Sequence, residues 1–173
     1  MTIPLVMTFI GTDRPGLVKA ISACVADNGG AWLESRLARL AGAFAGIVRL
    51  EAPLDGVEAL TAALKGLEHH GLRVTIERGD GGADAELRDT LTLELLCLDR
   101  PGIVREVTET LSGLDVNIEE FESALVAAAF TGQPMFKAKA RLHPPSTVSA
   151  AELRRTLEAL AGEMMADISL VKA

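Results

Sequence analysis

A chain of 173 residues with a net charge of −7 presents the wrong sign of surface to a phosphate backbone, which argues against direct nucleic-acid binding. It is 49% hydrophobic but only 3% aromatic and has no Tyr, so its core must come from Leu, Val, Ile and Ala, and few rings are left to stack on bases. Two cysteines, Cys24 and Cys97, supply neither a disulfide framework nor a metal-ligand cluster.

In chain order, Ile3 to Ile10 reads as a strand. A helix follows from Gly16 to Asp27 and stops at Asn28-Gly29-Gly30, residues that tolerate positive φ. Trp32 to Leu40 and Phe44 to Glu51 read as two strands of a hairpin, with Gly42 where the turn needs a glycine. A second helix is predicted from about Val57 to Leu67, with Leu60, Leu64 and Leu67 along one side, and Leu72 to Arg78 reads as a strand.

The same order then recurs. Thr90 to Leu98 reads as a strand, Gly102 to Gly113 as a helix, Asn117 to Ala127 and Pro134 to Leu142 as strands, Ala150 to Ala161 as a helix and Asp167 to Lys172 as a strand. Between the two sets lies a glycine-rich polar stretch, Gly79 to Asp84, that reads as a linker. The expected organisation is a module over residues 1–79, a linker over 80–89 and a second module over 90–173.

The recurrence is literal at one place. Asp13-Arg14-Pro15-Gly16 returns 86 positions later as Asp99-Arg100-Pro101-Gly102, each copy after a strand and before a helix. Leu17, Val18, Ile21 and Val25 align with Ile103, Val104, Val107 and Leu111, which is helical spacing in both. Further on, Trp32 aligns with Ile118 and Glu34 with Glu120. Each β-α-β-β-α-β copy predicts an α+β, ferredoxin-like module, an antiparallel sheet with helices on one face. A module this small buries little core, so the two copies are expected to pack together or to pair with another chain, making a homo-oligomer one solution.

The repeated loop is the candidate ligand site. Asp13 and Asp99 are placed to cap the helices, and Pro15 and Pro101 to start them. Gly16 and Gly102 would leave the backbone uncovered, so that first-turn amides, including those of Leu17 and Ile103, could meet a small carboxylate. The aspartate beside them could meet an ammonium group, and an amino acid carries both charges on adjacent atoms. Capping alone also accounts for these residue types, without any ligand.

The remaining polar residues point to no catalysis. His69, His70 and His143 read as solvated loop histidines, and Glu119, Glu120 and Glu122 as a charged strand with Glu119 facing away from the other two. Cys24 and Cys97 read as small buried hydrophobes, and Met164-Met165 as gap-filling under the last strand. No nucleophile–base set, phosphate loop or dinucleotide fingerprint occurs, so the expectation is a non-enzyme without metal or cofactor. The first residues lack a basic segment with an apolar run and no stretch is long enough for a membrane span, so a cytoplasmic protein without a membrane partner is expected.

TDRPGLV and LDRPGIV, each between strand and helix of a β-α-β-β-α-β module, resemble the ACT domain, a small regulatory module of amino-acid metabolism. A stand-alone tandem of this length is similar to the glycine cleavage system transcriptional repressor family. The resemblance implies an amino-acid effector, glycine in that family, held at interfaces between modules by the loop glycines and by an amide at the start of the second strand. Here that amide is Asn117, and Ala31 stands at its position in the first copy. It also implies action through a DNA-binding transcriptional activator. The alternative is a regulatory region of a metabolic enzyme, such as one of formyltetrahydrofolate hydrolysis.

At physiological salt the isolated chain is expected to give no specific gel shift with duplex DNA. A complex that survives competitor DNA would contradict the charge argument.

Overall fold

The structure is a computed structural model that describes residues 1–79 and 90–172; the expected linker at 80–89 lies outside the described residues. They fall into two compact units, within Met1–Ala85 and Glu86–Ala173. The first contains strand β1 (Thr2–Thr12), helix α1 (Leu17–Asp27), β2 (Ala31–Leu40), β3 (Ala43–Pro53), α2 (Val57–Gly66) with a 3₁₀ turn (Leu67–His70), and β4 (Leu72–Arg78). The second contains β5 (Leu91–Leu98), α3 (Ile103–Ser112), β6 (Asn117–Ala127), β7 (Pro134–His143), α4 (Ala150–Met164) and β8 (Asp167–Lys172). Their antiparallel sheets run β2-β3-β1-β4 and β6-β7-β5-β8, the same topology twice.

Alternation along the central strands creates the core. Leu5, Met7 and Phe9 of β1 are buried, and Leu91, Leu93, Leu95 and Cys97 repeat the pattern in β5. Onto these faces the helices lay one stripe each: Leu17, Ile21 and Val25 from α1, and Ile103, Val107 and Leu111 from α3. Full burial of a side chain such as Ile21 stabilises the module by about 1.5–3 kcal/mol. Val18 and Val104, which share the apolar spacing, lie outside the stripes at 41% and 42% exposure. Cys97 is buried, and burial pushes its thiol pKa up; Cys24 is only half-buried. Met164 is buried as expected, but Met165 is 89% exposed because it ends α4 in the left-handed conformation, φ 51°.

Strand alternation fails at one place in each module. The register shifts between Trp32 and Glu34 in β2 and between Ile118 and Glu120 in β6, so Leu33 and Glu119 are extra residues in bulges. Glu119 therefore does not point away from Glu120: Arg141 of β7 holds both, at 3.0 and 2.7 Å. His143 is also not a loop residue. It is the last residue of β7, its side chain only 12% exposed, with Nδ1 3.5 Å from the Glu119 carboxylate.

At the far end of β1, Gly11 lets two chain segments approach closely. A Cβ there would stand 2.7 Å from the carbonyl oxygen of Gly71 and 2.9 Å from Leu72 Cδ2. Gly11→Ala is therefore expected to cost about 1–3 kcal/mol through overpacking, because a backbone atom cannot swing aside. Thermal unfolding checks this, and an unchanged midpoint would show that the β4 end yields freely.

Candidate functional site

Each Asp-Arg-Pro-Gly segment turns the chain from the end of a central strand into a helix. Gly16 adopts φ 89°, ψ −1° and Gly102 φ 92°, ψ −4°. These are the angles of the third residue of a type II turn with proline second, a conformation that penalises any side chain. Pro15 and Pro101 therefore lie in the turn before the helix and not in its first turn, as the motif alone suggested.

The aspartates do not cap. Gly16 and Gly102 are themselves the N-cap residues, and no side chain accepts from the helix amides in either copy. Asp13 and Asp99 serve the turn through their backbone: their amides donate to the carbonyls of Gly42 at 2.9 Å and of Pro134 at 3.0 Å. That ties each loop to the neighbouring hairpin. The Asp13 carboxylate accepts from Arg39 Nε at 2.6 Å.

The loop backbone is open. A Cβ on Gly16 would meet nothing within 4 Å, and one on Gly102 would meet only Glu106 Oε1, at 3.6 Å. The first intrahelical bonds begin with the amides of Ala20 and Glu106, donating to Gly16 and Gly102. The amides before them have no partner in the helix ladder and aim along its axis, a setting suited to an anion. Leu17 and Ile103 are buried, so only their backbone could touch a ligand.

The two loops differ in what holds their arginine. Arg14 donates to the carbonyl of His70, stitching the loop to the 3₁₀ turn. Arg100 instead turns back onto α3 and donates to both carboxylate oxygens of Glu106, at 2.6 and 2.7 Å. The corresponding residue in the first module is Ala20. Those bonds from Arg100 hold the Glu106 carboxyl below its ordinary pKa.

Asn117 opens β6 opposite His143, exposed to solvent. It does not meet Gly102 within its own module. Asp99 is bonded to Pro134, which pairs with Ala127, the last residue of β6, whereas Asn117 is the first. The strand length places them roughly 30 Å apart. Around Asn117 stand the bulge residues Glu119 and Glu120, with Arg141 and His143. The matching positions in the first module are Ala31 opposite Glu51 and Glu34 opposite Arg49, with apolar Leu33 at the bulge. A glutamate aligned in both copies was the only sequence sign of this corner; the bulge that assembles it left none.

Residues 4–77 match the ACT domain family. The chain is 26% identical over 168 residues to the glycine cleavage system transcriptional repressor of Escherichia coli (strain K12), covering 96% of this chain and 88% of that protein. Among solved structures it is similar to a protein of unknown function from Galdieria sulphuraria, with a TM-score of 0.87 at 26% identity over 100% of this chain and 99% of that one. It also shares its fold with a candidate glycine cleavage system transcriptional repressor, with a TM-score of 0.74 at 19% identity over 100% and 98% of the two chains.

The Arg100–Glu106 pair has a signature in acid. A carboxyl whose folded-state pKa is depressed adds stability that is fully present above the unfolded value and lost as pH falls through the folded one. The melting-temperature gap between wild type and Glu106→Gln is therefore expected to be widest near neutrality, to narrow below the ordinary glutamate value of 4.5 and then to close. The pair is exposed, so the gap is small. A gap that does not change with pH would show that Glu106 acts through packing.

Proposed function

We propose that this tandem ACT-domain protein is a non-enzymatic regulator that binds a small amino acid, with glycine favoured, and acts by contact with a transcription factor. The observation that carries the reading is the open Pro-Gly turn before a helix with no side-chain cap, formed twice at φ 89° and 92°. Such a turn offers amides to a carboxylate and leaves room for its approach. Likeness over 96% of the chain to a glycine cleavage system transcriptional repressor supports both the regulatory class and the choice of glycine.

The second half of the recognition is assigned to the Asn117 amide, which can donate to a carboxylate and accept from an ammonium group. Because Gly102 and Asn117 lie at opposite ends of their module, loop and amide do not meet within it. A second copy of the chain would supply the missing half. Ala31 cannot replace the amide, so the strand-start contribution comes from the second module.

Calorimetry with glycine, serine and alanine tests this. Asn117→Ala is expected to weaken binding roughly tenfold to a hundredfold, the cost of a hydrogen bond to a charged group. Of Gly16→Val and Gly102→Val, the one that matches this loss identifies the loop that works with Asn117. If none of the three amino acids binds at millimolar concentration, the sensing role falls. Affinity capture is expected to bring down a DNA-binding activator; a metabolic enzyme in its place would favour a regulatory subunit.

A further inference from the structure

A cleft of about 430 Å³ opens at the end of the first sheet, between the end of β1, the β2–β3 turn and the start of β4. It exists because the residues there are small: Gly11, Ala41, Gly42, Ala43 and Gly71 contribute no side chain beyond a methyl group. Among the described residues one charged side chain lines it, that of Arg73, which stands opposite Ile10 in the sheet. Arg73 has no ion-pair or hydrogen-bond partner for its guanidinium among the described residues. Thr12 adds a hydroxyl.

Two further observations give the cleft a meaning beyond its shape. Arg14 and Arg39 lie at the same end of the module, the first bonded to His70 and the second paired with Asp13, so cationic groups gather there on a chain of net charge −7. The duplicated module also treats the same positions in the opposite way. Leu96, Cys97 and Leu98 replace Ile10, Gly11 and Thr12, and Met165 takes the left-handed position of Gly71, with φ 51° against 77°. Asp167 pairs with Leu96 where Arg73 pairs with Ile10, so the charge is reversed. A merely architectural end of the fold tolerates bulk and acid here; the first module keeps neither.

We propose that this cleft is a binding site for a small organic anion, its carboxylate or phosphoryl group held by Arg73 and its body lying on the glycine and alanine backbone. Arg is the side chain whose planar fork suits such a group. Among the described residues no acidic side chain lines the cleft, so an ammonium beside the anion finds no counter-charge there. The site therefore selects simple acids over zwitterionic amino acids. It abuts the first Pro-Gly turn, whose Asp13 amide donates to Gly42, but no residue of that turn lines it, and it does not depend on amino-acid binding there.

The test is an amide-resolved NMR titration of the full chain with acetate, inorganic phosphate and glycine at matched ionic strength. Acetate or phosphate is expected to shift the Gly11, Gly42 and Gly71 amides saturably, and whichever does so first tells a carboxylate site from a phosphoryl one. Arg73→Gln should raise the apparent Kd about tenfold or more. Arg73→Asp, which copies the charge of Asp167, should abolish the shifts. Arg78→Gln, at the other end of β4, should change nothing. Shifts that grow without saturation, survive Arg73→Gln or respond equally to Arg78→Gln would overturn the proposal, as would stronger saturation of these amides by glycine. Loss of glycine binding at the turns would leave it standing.

Discussion

Each module depends on one face of its sheet being buried beneath two helices. A four-stranded sheet has no core of its own, so the side chains of β1 or β5 that point to one side must be covered within the same module. Leu5, Met7 and Phe9 share one core cluster with Ile21 and Val25, and Leu93, Leu95 and Cys97 share the other with Val107 and Leu111. Among the described residues no polar or charged residue is buried in either core. Helices α1 and α3 must therefore start directly over the end of the central strand, and only a few residues separate strand from helix.

That requirement explains the Pro-Gly turn better than capping does. Reversal from the end of the central strand to the helix within four residues needs a positive φ at the last of them, and Gly16 and Gly102 supply it. Backbone bonds from Asp13 and Asp99 then pin the turn to the adjacent hairpin. The helix amides are left without a side-chain cap as a consequence. A turn made necessary by packing thus carries the donors that a ligand can use, and the same residues serve fold and function.

Duplication has kept the frame and changed its fittings. Arg14 reaches across to the 3₁₀ turn while Arg100 folds onto Glu106, because the first helix has Ala20 where the second has an acid. The bulges in β2 and β6 occur at matching positions, yet one displays Leu33 and the other joins Glu119 and Glu120 to Arg141. Small residues open a cleft at the end of the first sheet, where the second carries Cys97, Leu98 and Met165. Two modules of one topology therefore present different chemistry at each end of the sheet.

The order of elements, the α+β class, the repeat and the buried stripes were legible in the sequence, because periods of two and of three to four residues follow directly from strand and helix geometry. The repeated tetrapeptide also fell at the strand-to-helix junction in both copies, where a φ near 90° favours glycine. What the sequence could not decide was which atoms each polar residue meets. Asp13 looked like a helix cap and is a hairpin tether; Glu119 looked turned away and shares Arg141; His143 looked solvated and closes a strand. Asn117 and Gly102 are fifteen residues apart in the chain and belong to opposite ends of the module. Those outcomes depend on strand register and on one bulge, which are set by packing between segments far apart in the chain, and local pattern carries no record of them.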